Sequence, residues 1–163
     1  MPALFIQFIT RQRQLCSLVV SALLSLVSVA AHAEPTTFEK FGGKPGLVLI
    51  VDDFMRNLIA APLTQPFFDN PKQDFIKLML VEQFCELLDG GCKYQGRDMK
   101  SSHANFKVNR AEFNSLVESL QIAMDKHQVP FTAQNQLLAK LAPMYRDVEA
   151  GTGPAPGAVT KAQ

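Results

Sequence analysis

From residue 44 onward, apolar side chains recur at spacings of three and four, and no convincing run of alternating strand residues interrupts them. The pattern predicts an all-α chain. A first long helix, over residues 45–61, starts at Pro45 and carries Leu47, Ile50, Val51, Phe54 and Leu58 on one stripe until Pro62 ends it. A short aromatic turn, Pro66-Phe67-Phe68, follows. Asn70-Pro71-Lys72-Gln73 then reads as cap, first-turn proline and third-position glutamine, opening a helix over 71–89 that buries Ile76, Leu80, Phe84 and Leu87 before Gly90-Gly91 stops it. Asn109 with Glu112 repeats the capping logic for a helix over 110–128, whose apolar face is Phe113, Leu116, Val117, Leu120 and Met124. Pro130 separates it from a last helix over 132–149, expected to bury Leu137, Leu138, Leu141, Tyr145 and Val148. Four long helices therefore fall into two pairs. Residues 92–108, between the pairs, are too polar and too interrupted by glycine to form another.

The two ends of the chain read differently. Arg11 and Arg13, the apolar run over residues 15–29, and Ala31-His32-Ala33 follow one another as the three parts of a secretory signal, with cleavage expected after Ala33. The apolar run is about 15 residues where a membrane span needs roughly 20, so no stable span is expected after cleavage. From Gly151 to the end the composition is Gly, Pro, Ala and Thr without apolar period, and a disordered tail is expected. The chain thus divides into a signal (1–33), one domain (34–150) and a tail (151–163). This organisation places the mature domain in the periplasm or outside the cell.

Charge and cysteines narrow the picture. The full chain has 16 basic and 15 acidic residues, and removing the two arginines of the signal leaves 14 against 15, a net charge of −1. Such a balance, without a basic stripe, argues against nucleic acid as partner. Cys85 and Cys92 are the cysteines left after cleavage; seven residues apart, they suit either a disulfide in an oxidising compartment or two buried thiols, and make a poor zinc site. Phosphate-cradling glycine loops, nucleophile-elbow serines and paired-histidine metal helices are all missing, as is the Cys-x-x-Cys-His of covalent haem attachment. Two histidines remain. His127, before Gln128-Val129-Pro130, reads as an exposed cap favoured by the helix dipole. His103 has Met99 four residues before it and Phe106 three after, an apolar setting in which spacing alone does not separate a packed core imidazole from a metal ligand.

Four segments carry more information together than singly: Lys40-Phe41-Gly42-Gly43, Val51-Asp52-Asp53-Phe54, Phe67-Phe68, and Gly90-Gly91 running through Tyr94 and Gly96-Arg97-Asp98-Met99 to His103. In this order and spacing the chain resembles the truncated haemoglobins of the first group, from about Phe38 to Val148. The resemblance implies a truncated globin-like two-over-two helical sandwich around non-covalent haem b, with the glycine pairs at its corners and His103 as the proximal iron ligand. It also implies a role for Phe68 as an aromatic wedge against the porphyrin, for Met99 and Phe106 as proximal packing, for Phe54, Ile76 and Phe84 in the apolar lining, and for Tyr94, Arg97 and Lys100 near the haem propionates. The partner it implies is oxygen, nitric oxide or carbon monoxide.

The chain departs from the best-known members where they hold bound oxygen with a tyrosine and a glutamine. Those positions here are Met55 and Leu80, with Ile76 and Met79 close by, and an apolar pocket does not inherit slow oxygen release. Gln83 is the polar candidate, pointing inward or outward with equal expectation. Methionine is an allowed axial ligand, so Met79 or Met55 is a candidate sixth ligand. Three readings follow: a binder of diatomic gas, with nitric oxide oxidation dependent on a separate electron donor; a six-coordinate haem for electron transfer or redox sensing; and a helical binding module that has lost haem.

Overall fold

The computed structural model describes residues 33–150, and side chains through Val148. The expected signal and tail lie outside the described residues, apart from Ala33 itself. Within them the elements are helical, with no strand. Helix α1 (Thr37–Lys40) is closed by a reciprocal capping box between Thr36 and Glu39. Helix α2 spans Gly43–Ala60, α3 Gln65–Phe68, α4 Gln73–Leu87, α5 Met99–His103 and α6 Arg110–Lys126; then come α7 (Phe131–Leu141), a 3-10 turn (Ala142–Met144) and α8 (Tyr145–Ala150).

The stripe expected on α2 is the spine of the core: Leu47, Ile50, Val51, Phe54 and Leu58 are at most 2% exposed. Burying each stabilises by roughly 1.5–3 kcal/mol. Helix α2 packs chiefly on α4 and α6, and Val81, Phe84, Cys85, Leu88, Leu120, Ala123, Met124 and Leu137 complete the cluster. The packing of α2 on α4 and α6, with α7 resting on α1 and α4, gives the layered all-α arrangement expected.

Where the boundaries differ, local chemistry explains it. Helix α4 begins two residues later than its apparent cap, because the Asn70 carboxamide accepts from the Lys72 amide at 2.9 Å and is spent on that turn. Its end is a full Schellman closure: the Asp89 amide donates to Glu86 O and that of Gly90 to Cys85 O. Asp89, not a glycine, takes the left-handed position there, with φ 58°. Gly90 is needed for another reason, since a Cβ on it would stand 2.4 Å from the Phe38 ring. Pro143 breaks the expected last helix into α7, the 3-10 turn and α8. Leu137 and Val148 are buried as expected, while Leu138, Leu141 and Tyr145 are half-buried.

Candidate functional site

The stretch between the helix pairs builds the site around His103. Asp98 caps α5 by accepting from the Ser101 amide at 2.9 Å, and the Ser101 hydroxyl, with that amide second, holds its carboxyl below the usual carboxylate range. The carbonyl of Arg97 accepts from the Tyr94 hydroxyl at 2.9 Å and from the Ser102 hydroxyl at 3.3 Å. Burial raises the Tyr94 phenol above its ordinary value, so this hydroxyl stays a donor.

One turn of α5 brings the His103 Nδ1 to 2.7 Å from the Met99 carbonyl oxygen. A carbonyl can only accept, so Nδ1 carries a proton, and in the neutral imidazole Nε2 is the nitrogen with the lone pair. That is the tautomer a metal ligand requires, with its ring orientation already set. The half-buried ring lies 6.4 Å from that of Phe106, which meets Phe67 edge-on at 6.1 Å. A thread of aromatic rings therefore joins α3 to the imidazole. Among the described residues no three His, Cys, Asp or Glu side chains group to hold a bare ion. A single oriented imidazole fits a metal that arrives with its other donors already bound, as iron does in a porphyrin.

Helix α4 reaches this segment through Gln83 and Met99. Ile76, Leu80 and Gln83 share one face at helical spacing, and all three are withdrawn from solvent. Gln83 is 8% exposed, and its Nε2 lies 3.6 Å from both Met99 Sδ and Met144 Sδ. Of its two open directions, the side chain thus takes the inward one. Thioethers are weak acceptors, so this buried amide keeps most of its capacity to donate. Met79, four positions before Gln83, is half-buried.

The remaining candidates divide by burial. Phe54, Met55 and Phe84 are 2–3% exposed, and Phe54 and Phe84 belong to the α2–α4–α6 core. Phe68 is half-buried and packs against that core. Met99 and Tyr94 are half-buried; Arg97, Lys100 and Phe106 are exposed. Cys85 and Cys92 form a disulfide, settling the alternative left open by their spacing.

His127 is the sequence expectation that changes. It sits at the C-cap of α6, but its Nε2 lies 2.7 Å from Oδ2 of Asp53 on α2, and its side chain is only 25% exposed. Asp53 is 5% exposed and also binds Lys126 Nζ at 2.7 Å and the Arg56 guanidinium. Lys126 and Arg56 together hold its carboxyl far below the usual range against the opposing effect of burial. The sequence held one signal for this cluster: a carboxylate between the buried positions Val51 and Phe54 requires a partner. Phe67 and Met144, which complete the contacts of Phe106 and Gln83, were likewise not singled out by spacing.

A short helix ending in an oriented histidine, standing in sequence between α4 and α6 of an all-helical chain, is the arrangement of a small globin. A family model described as bacterial-like globin matches residues 36–150. The chain belongs to that family, with the group 1 truncated globins. It is 26% identical to the group 1 truncated haemoglobin of Mycolicibacterium paratuberculosis, over 73% of this chain and 88% of that one. The group 1 truncated haemoglobin of Tetrahymena thermophila is 25% identical, over 53% and 72%. Among solved structures, truncated haemoglobin from Tetrahymena pyriformis in its Fe(III) form superimposes with a TM-score of 0.67 at 22% identity, covering 74% of this chain and all of that one. The two-over-two haemoglobin of Synechococcus, with covalently attached haem, gives 0.65 at 20% identity, covering 71% and 98%. Family membership carries haem-based binding of a small gaseous ligand.

Proposed function

We propose that this chain binds one haem b non-covalently through His103 Nε2, outside the cytoplasm, and uses it to bind oxygen or nitric oxide reversibly. The observation that supports this most is the 2.7 Å contact from His103 Nδ1 to the Met99 carbonyl, which leaves Nε2 ready to ligate. When bound, haem would supply a redox-active iron able to bind a diatomic gas.

The protein's own groups then have separate tasks. Met99, Phe106 and Phe68 would pack against the bound macrocycle. Arg97 and Lys100, both exposed, would pair with the propionates, and Tyr94 fixes the Arg97 backbone. Ile76, Met79, Leu80 and Met55 would keep the ligand side apolar, so the Gln83 amide would be the donor available to a polar ligand. Conversion of nitric oxide to nitrate, NO + O2 + e− → NO3−, requires one electron, which a separate donor provides. Location in the periplasm or beyond the cell is supported by the signal-like order of residues 1–33 and by the disulfide, since such bonds persist in oxidising compartments.

The test is the absorption spectrum of the ferrous, haem-loaded chain with and without carbon monoxide. A five-coordinate spectrum that shifts with the gas is expected. A low-spin six-coordinate spectrum without gas would contradict the open axial position, and absence of a Soret band would overturn haem binding altogether.

A further inference from the structure

From Asp89 to Glu118 no side chain is fully buried, although this stretch contains His103. Its hydrogen bonds are mostly its own. Tyr94 and Ser102 donate to Arg97 O, Gln95 to Lys93 O and the Ser101 amide to Asp98, while His103 turns to Met99. Among the described residues the side-chain hydrogen bond reaching 93–106 from elsewhere is the weak Gln83 to Met99 thioether pair, beside the edge-on contact of Phe67 with Phe106. Helix α5 also rests on α8. Against this sparse set stands one covalent tie, the Cys85–Cys92 disulfide. Cys85 is 0% exposed in the last turn of α4, inside the core, and Cys92 is half-buried, six residues ahead of Asp98, the cap of α5.

We infer that the Cys85–Cys92 disulfide is a positioning tether for His103, and that a dithiol reductant, by opening it, weakens the chain's hold on haem. The inference rests on the reading of His103 as the iron ligand. A thiolate of the dithiol attacks the more accessible Cys92 sulfur, the sulfur–sulfur bond breaks, and Cys85 leaves as thiolate and takes a proton. The second thiol of the reductant displaces Cys92 from the mixed disulfide, which also ends protonated. Two electrons pass from the dithiol, which becomes a disulfide, to the cysteine pair. The core keeps Cys85 in place, because its α4 neighbours remain packed. The segment from Cys92 to His103 loses its covalent attachment and samples positions in which the imidazole is no longer aimed. The energetic logic is that of any support behind a ligand histidine, whose loss lowers metal affinity about 10- to 100-fold.

The experiment loads the intact chain with ferric haem and follows haem transfer to an excess of apo acceptor globin. Oxidised wild type, wild type opened with a phosphine or dithiol and verified by thiol alkylation, and Cys92→Ser, with and without reductant, are compared. Transfer is expected to be about tenfold or more faster in opened wild type and in Cys92→Ser, and reductant should leave the variant's rate unchanged. Amide hydrogen exchange over 93–106 should accelerate in parallel while α2 stays protected. If Cys92→Ser does not fold, the opened wild type carries the comparison alone. A Soret band with an unchanged transfer rate after full opening overturns the tether; a missing Soret band in oxidised protein overturns the haem reading, and the tether with it.

Discussion

Two regions of this molecule use their residues in opposite ways. Around α2 every position of the apolar stripe is sealed against α4 and α6, and the charged residue in its midst, Asp53, is matched by Lys126, Arg56 and His127. Between Asp89 and Glu118 nothing is fully buried, and most polar groups bond to near neighbours. The first region supplies the free energy that keeps the chain folded, and the second spends little on stability so that an imidazole can be presented to a cofactor. Stability and function here are separable along the sequence, as expected where binding elements come from the low-stability end of a fold.

That separation can be broken most severely in the core. Phe54→Ala removes a 2% exposed ring from the centre of the α2 stripe, and is expected to cost about 3–5 kcal/mol in urea unfolding of the haem-free protein. A smaller effect, about 1–3 kcal/mol, is expected for Asp53→Asn, since the partners it leaves include the exposed ends of Lys126 and Arg56. Its pH dependence has a definite sign. The folded Asp53 carboxyl titrates below its unfolded value, so its stabilisation is complete above the ordinary carboxylate range and drains as pH falls toward the lower folded value. Unfolding near neutrality and at about pH 3 should therefore show wild type losing more stability on acidification than Asp53→Asn does. The smallest effect belongs to the other region: His103→Ala should change haem-free stability by less than about 0.5 kcal/mol. A large loss there would mean that the imidazole is a core residue after all.

What could be read from the sequence follows the same division. The α2 stripe and the Asn109–Glu112 capping box were legible because each is a local pattern, and both appear as read. The start of α4 was misplaced because Asn70 had two local uses, cap or turn, and the turn won. His127 looked like an exposed cap because its partner Asp53 lies 74 residues away, a distance no periodicity reports. In the site, spacing placed His103 beside Met99 and Phe106, yet it could not tell a packed ring from an oriented one. The direction of Gln83 and the pairing of the cysteines also depended on how α4 meets the segment after it, which is a tertiary fact.

The central claim concerns one nitrogen. Titrating the chain and its His103→Ala variant with haem, and recording the ferrous spectrum of each, tests it directly. The account predicts that wild type saturates with one haem and gives a histidine-ligated five-coordinate spectrum, while the variant binds weakly or without that signature. Superimposable titrations and spectra would show that the iron is held by some other group.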